Sequence, residues 1–252
     1  MRNKEISLAG CRWPSLPAPY SRALRDAVRF ILDRFEPLGI VACGTLVCGD
    51  PGPSSDLDIY VIHAQPKRQR IQKFFHGVPA EIFVNPVRAI EGYFDSESRH
   101  GRPCTAHMLA TGFVVLDRDP VVQELRRRAR AILAQPPGLD EAGLTWLRYG
   151  AALQVEDACD IAPLDPAGAS MILGLAVHAM LQYCFWQAGR YLPRDKDLLD
   201  ALREVKPEVA ALVREFYTAV SFGRRLALAE EIALQTIGVR GFFEWESVPE
   251  DV

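Results

Sequence analysis

Residues 44–62, GTLVCGDPGPSSDLDIYVI, join a Gly-Thr pair to a turn rich in Gly, Pro and Ser, then place Asp56 and Asp58 at the head of an apolar run. Side chains two apart on a strand project to the same face. Two carboxylates set into an apolar segment are costly unless something neutralises them. No base lies between them, so a hard cation is the natural partner, and oxygen ligands of this kind suit Mg²⁺. The stretch VPAEIFVN (78–85) carries a third acid, Glu81, where an apolar strand gives no other reason for one. Three acids on neighbouring strands would hold two divalent ions that clamp a nucleotide's phosphates. Gly44 permits close backbone approach and Thr45 supplies a hydroxyl, which makes this pair the candidate phosphate cradle. Alone, D-x-D in a strand reads more simply as a solvent-facing edge. The site is read from the joint pattern of glycine, hydroxyl, loop, D-x-D and later acid.

Outward from this stretch, YSRALRDAVRFILDRFEPLG (20–39) repeats apolar residues at Leu24, Val28, Ile31, Leu32 and Phe35, the spacing of an amphipathic helix. Pro37 and Gly39 are expected to stop it. Strands are expected at 40–43, 57–64 and 78–85, with a helical turn at 46–49. QPKRQRIQKFFHG (65–77) reads as an exposed hairpin or excursion. A helix is expected in 86–98, a strand in 112–119 and a helix opened by Pro120 in 120–135. PPGLD (136–140) is the linker candidate, and beyond it every segment has helical periodicity. The expected fold is an α/β (α+β) domain with a mixed sheet, residues 1–135, followed by an all-α helical bundle, residues 136–252.

Composition narrows the function classes. The 252 residues are 49% hydrophobic and 24% charged with a formal net charge of -3, ordinary for a globular protein. That weak acidity argues against a general nucleic-acid binder. Six scattered cysteines without a C-x-x-C pair argue against a zinc site or a disulfide framework and for a reducing, cytoplasmic setting. The first twenty residues hold no long apolar core, so neither signal peptide nor membrane anchor is expected. The longest apolar run, 168–181, is too short for a membrane span and reads as a buried helix. His107 reads as a packed or hydrogen-bonded residue, and His63 and His76 lack partners at ligand spacing. Ser54 and Ser55 lack the G-x-S-x-G surroundings of a serine nucleophile. The basic runs 66–70 and 126–130 read as solvated faces.

The joint pattern of Gly44, Thr45, Asp56, Leu57, Asp58 and Glu81 resembles the nucleotidyltransferase superfamily related to DNA polymerase beta. The layout beyond it looks like the bacterial branch that includes aminoglycoside nucleotidyltransferases, with a C-terminal helical domain. The resemblance implies Mg²⁺-dependent transfer of a nucleoside monophosphate from a nucleoside triphosphate, ATP first, to a hydroxyl of a small-molecule acceptor such as an aminoglycoside. It also implies two metal ions on Asp56, Asp58 and Glu81, with terminal phosphates on Gly44 and Thr45 and their charge offset by Lys196. By similarity, an acid of QVEDACD (154–160) deprotonates the acceptor, Asp157 first and Glu156 or Asp160 next. A homodimer fits this branch; the acidic net charge and the lack of a basic stripe disfavour a nucleic-acid acceptor, and the lack of a spanning apolar segment disfavours a membrane partner. Three residues depart from the pattern: Thr45 for the usual Ser, Glu81 for Asp, and Cys48 where many relatives carry an Arg. Two alternatives stand beside this reading. One is a protein acceptor; the other is a non-catalytic, antitoxin-like binding module, towards which the missing Arg leans.

Overall fold

The computed structural model describes residues 8–49, 55–138, 140–247 and 249. The chain divides into two compact units, Met1–Gln135 and Pro136–Val252. In the first, the elements run α1 (Ala18–Arg34), β1 (Pro37–Cys43), α2 (Thr45–Cys48), β2 (Leu57–His63), β3 (Gln69–Phe75), β4 (Val78–Pro86), α3 (Val87–Arg99), α4 (Cys104–Thr111), β5 (Phe113–Asp117) and α5 (Val121–Leu133). The strands form one sheet of order β3-β4-β2-β1-β5. The β2–β4 pair is parallel and the other pairs are antiparallel, so the sheet is mixed.

Strand alternation sends the apolar residues of the sheet to two cores. Ile40, Ala42, Leu57, Ile59, Val61, Ala80 and Ile82 pack under Leu24, Val28 and Ile31 of α1. Val41, Cys43, Tyr60 and Ile62 face α3, α4 and α5 through Ile90, Phe94, Leu109, Val122 and Leu125. The helix expected to reach Pro37 ends at Arg34 instead, and Pro37 and Gly39 lie inside β1.

The stretch 65–77, read as an exposed hairpin or excursion, supplies the first strand of an edge hairpin: β3 runs antiparallel to β4. His76 and Gly77 join the two strands with φ of 51° and 79°, a two-residue turn whose twist matches that of the strands. His76 also pairs with Asp26 of α1. The basic run 126–130 is not simply solvated, because Arg126 donates to the carbonyls of Leu109, Ala110 and Gly112 and so ties α5 to the end of α4. Arg127 pairs with Glu124, and Arg128 pairs with Glu91 of α3.

The second unit holds α6 (Glu141–Ile161), α7 (Pro166–Gln187), a 3₁₀ turn (Asp195–Asp197), α8 (Leu198–Val205), α9 (Pro207–Thr218) and α10 (Phe222–Thr236). Asp140 and Asp165 cap α6 and α7, accepting from Gly143 and Gly168 backbone N–H groups at 2.8 and 2.9 Å. The apolar run expected to be too short for a membrane lies within α7, whose 22 residues are long and apolar enough to span one. Leu173, Val177, Met180, Leu181 and Phe185 nevertheless pack into the core of this unit against α6, α8, α9 and α10. Its other side exposes Met171, Leu175 and His178, so the helix is buried on one face only.

Candidate active site

Register across the sheet brings the acids together. Asp58 of β2 lies beside Glu81 of β4, with Cys43 of β1 on its other side and Gln72 of β3 beyond Glu81. Because Leu57 and Ile59 turn towards α1, Asp58 falls on the opposite face with Tyr60, and Glu81 falls there with Phe83. Asp56 immediately precedes β2 and completes the group. One carboxylate oxygen from each of Asp56, Asp58 and Glu81 lies within 4.8 Å of the others, and all three residues are half-buried. Mg²⁺ holds its oxygens at about 2.0–2.1 Å, so ligand atoms opposite one another across an ion stand about 4 Å apart. Small side-chain rotations would therefore close this group on a divalent ion, and its all-oxygen donor set fits one.

The backbone at Gly44 is built around the same carboxylates. Its φ of 79° and ψ of -175° lie in a region that is essentially glycine-only. A Cβ there would stand 2.4 Å from Asp58 Oδ2. Thr45, next in the chain, has its Oγ1 3.4 Å from Ser55 Oγ, across the loop that leads to Asp56. Ser54 and the Cys48 side chain, both weighed from sequence, lie outside the described residues and atoms.

Sequence reasoning missed Arg70 and Gln72. Arg70 Nε donates to Glu81 Oε1 at 2.7 Å, and Gln72 Nε2 donates to the same oxygen at 3.0 Å. The Arg70 guanidinium also lies 4.3 Å from the centroid of Phe83, which stacks on Tyr60. Counting outward from the His76-Gly77 turn would have paired Phe75 with Val78 and, three steps on, Gln72 with Glu81. The signal was in the sequence but needed the turn type to be read.

The Arg70 hydrogen bond, aided by Gln72, holds the Glu81 carboxyl below the usual glutamate range against the opposing effect of burial. A depressed folded pKa means that this group stabilises the fold above its unfolded pKa of about 4.3. That contribution fades as pH falls through the lowered folded value. In metal-free protein, Arg70→Met is expected to raise the Glu81 pKa. Carboxyl-carbon NMR titration with and without the substitution checks this, and an unchanged midpoint would contradict it.

No family model matches the chain, and no curated protein matches it. Among solved structures it is similar to a nucleotidyltransferase-like protein from Exiguobacterium sibiricum 255-15. The two are 13% identical, the alignment covers 86% of this chain and 73% of that one, and the TM-score is 0.53. The chain has the nucleotidyltransferase-like fold. At that identity the likeness speaks for architecture alone, a mixed sheet flanked by helices and followed by a helical region.

Within this nucleotidyltransferase-like fold, the remaining expected residues belong to the helical unit. Asp157 and Asp160 are exposed on α6, and Lys196 is exposed in the 3₁₀ turn between Asp195 and Asp197. Glu156 is different, being half-buried with its Oε1 accepting the backbone N–H of Phe242 at 2.9 Å. His107, expected to be packed or hydrogen-bonded, lies on the exposed side of α4. His63 is 4% exposed at the end of β2, and burial lowers its pKa, so it favours the neutral form. Among the described residues, Asp56, Asp58 and Glu81 are the one group of three metal-competent side chains close enough to share an ion.

Proposed function

We propose that the chain is a metal-dependent nucleotidyltransferase that moves a nucleoside monophosphate from a nucleoside triphosphate, ATP first, to a hydroxyl of a small-molecule acceptor. The observation that carries this reading is the carboxylate group of Asp56, Asp58 and Glu81 within 4.8 Å on adjacent strands of a nucleotidyltransferase-like fold. These three side chains would hold two Mg²⁺ ions. When bound, the ions neutralise the triphosphate and lower the pKa of the acceptor hydroxyl. Gly44 and Thr45 orient the terminal phosphates, and Lys196 offsets the charge that develops on them. Asp157 takes the acceptor proton, with Glu156 and Asp160 as the other acids of that stretch. The acceptor oxygen then bonds to the α-phosphorus, the bond from that phosphorus to the bridging oxygen breaks, and pyrophosphate leaves. The helical unit selects the acceptor, for which an aminoglycoside is the first example to test. A cytoplasmic setting and a homodimer complete the proposal.

A second reading has one observation behind it. Glu81 Oε1 already accepts from Arg70 and Gln72, so part of the acidic group is satisfied without an ion. A non-catalytic member of the fold, binding a partner instead of transferring a nucleotide, would keep such a group.

Calorimetric titration of ATP, GTP, CTP and UTP, with and without Mg²⁺, separates the two readings. Metal-dependent binding of a nucleotide is expected, and it should be lost in the Asp56→Asn/Asp58→Asn variant. Absence of binding by all four would sink the enzyme reading and leave the non-catalytic one.

A further inference from the structure

The helical unit contains a cavity of about 550 Å³ between α6 and the segment that follows α10. That segment, residues 239–247, has no regular structure, yet it is pinned along α6 at several points. The Phe242 N–H donates to Glu156, and Trp245 packs on Trp146 and Tyr149 with ring centroids 4.7 and 5.4 Å apart. Arg148 of α6 lies 4.2 Å from the Phe243 centroid and donates to the Ile237 carbonyl at 2.7 Å. The cavity wall combines Tyr149, Phe242 and Trp245 with Glu156, Glu244 and Glu246, and among the described residues no Lys, Arg or His lines it.

This wall has one chemical complement. Aromatic faces carry negative potential and attract cations, most strongly where water is partly excluded. Carboxylates beside them add charge that a neutral or anionic ligand could not use. A compact inorganic ion would keep its water and gain nothing from the rings, whereas an alkylammonium group presents apolar methylenes or methyls together with its charge. Phe243 already carries a cation of this type, the Arg148 guanidinium. The volume suits an organic ligand of ordinary size. Phe242 is 82% exposed although its backbone is fixed by Glu156, so a bulky ring is held in place where a ligand could cover it.

We infer that this cavity is a binding site for an organic ammonium ion, with Tyr149, Phe242 and Trp245 as the aromatic wall and Glu156, Glu244 and Glu246 as the counter-charge. The site lies wholly within the helical unit; it shares Glu156 with the acids proposed above for the acceptor proton, and its test uses no nucleotidyl transfer. Choline and spermidine are the probes, with 3,3-dimethylbutan-1-ol as the neutral analogue of choline. Calorimetry on the full chain is expected to give saturable binding of at least one of the two cations. The neutral analogue should bind at least tenfold more weakly than choline where choline is the cation bound. Glu244→Gln/Glu246→Gln, both exposed and without a packing role, should weaken the bound cation about tenfold or more. Saturation should change the tryptophan emission, and Trp245→Phe should remove most of that change. Mg²⁺ at equal concentration should not compete, and Asp56→Asn/Asp58→Asn should bind the cation as the unaltered protein does, even if nucleotide binding is lost. The inference is overturned if neither cation saturates, if the neutral analogue matches choline, if the double Gln variant binds unchanged, or if Mg²⁺ displaces the probe.

Discussion

Asp58→Asn is expected to slow nucleotidyl transfer by about 10³-fold or more while leaving a folded protein. The shape of the side chain is kept, so packing beside Tyr60 and Glu81 is disturbed little. What is lost is one anionic ligand from the group of three that stands within 4.8 Å. Metal coordination supplies several kcal/mol of stabilisation to charge at the reacting phosphate, and about 1.4 kcal/mol corresponds to each factor of ten in rate. Removing a like charge also relieves repulsion among carboxylates crowded without an ion, which offsets the lost attraction between Asp58 and the Arg70 guanidinium. In a chelator, the thermal midpoint of the variant is therefore expected to be no lower than that of the unaltered protein. Adding Mg²⁺ with nucleotide should raise the midpoint of the unaltered protein, by linkage of binding to folding, and should not raise that of the variant. Transfer rates and thermal shifts measured on the same preparations test both halves. Near-normal transfer by the variant would remove Asp58 from the reaction, and an equal Mg²⁺ shift in both would remove it from the metal site.

Gly44→Ala should damage stability and metal binding together. Its backbone conformation is one that residues with a Cβ rarely adopt, and strain of this kind costs about 1–3 kcal/mol by itself. The new methyl would also meet Asp58 Oδ2 at 2.4 Å, so either the carboxylate or the backbone of β1 must move. Displacing Asp58 is the easier response, and it carries one ligand away from Asp56 and Glu81. Gly77→Ala is the matched control: its φ is also 79°, but nothing lies within 4 Å of the added atom and the turn is remote from the acids. Both variants should lower the denaturant midpoint, whereas Gly44→Ala alone should weaken Mg²⁺ binding by calorimetry. Equal Mg²⁺ affinity in the two variants would mean that Gly44 serves the turn and not the carboxylates.

The candidate site is partly legible in the sequence, and particular residues show why. Asp56, Asp58 and Glu81 stand out because acids in apolar strand patterns violate a local rule, and such violations are visible residue by residue. Arg70 violates nothing: it sits in a basic, polar run that any surface could carry, and only pairing with β4 turns it into the partner of Glu81. Arg126 was misread for the same reason, since an arginine that binds three carbonyls looks in sequence like one that binds water. The aromatic and acidic residues around the helical unit's cavity, Tyr149 and Glu156 on α6 and Phe242 to Glu246 beyond α10, are separated by most of that unit. No window of sequence contains them both.

Taken by itself, the sequence determined the order of most helices and strands, the division of apolar residues between strand faces, the mixed α/β character of the first part and the helical character of the second. These depend on periods of two and 3.6 residues, which are properties of neighbouring positions. Tertiary structure alone decided the sheet order, the close approach of Glu81 to Asp58, the hold of Arg70 and Gln72 on one oxygen of Glu81, and the meeting of residues from both ends of the helical unit around one open cavity. The reason is physical: register and packing join residues distant in the chain, and local periodicity is silent about which distant partner a side chain will meet.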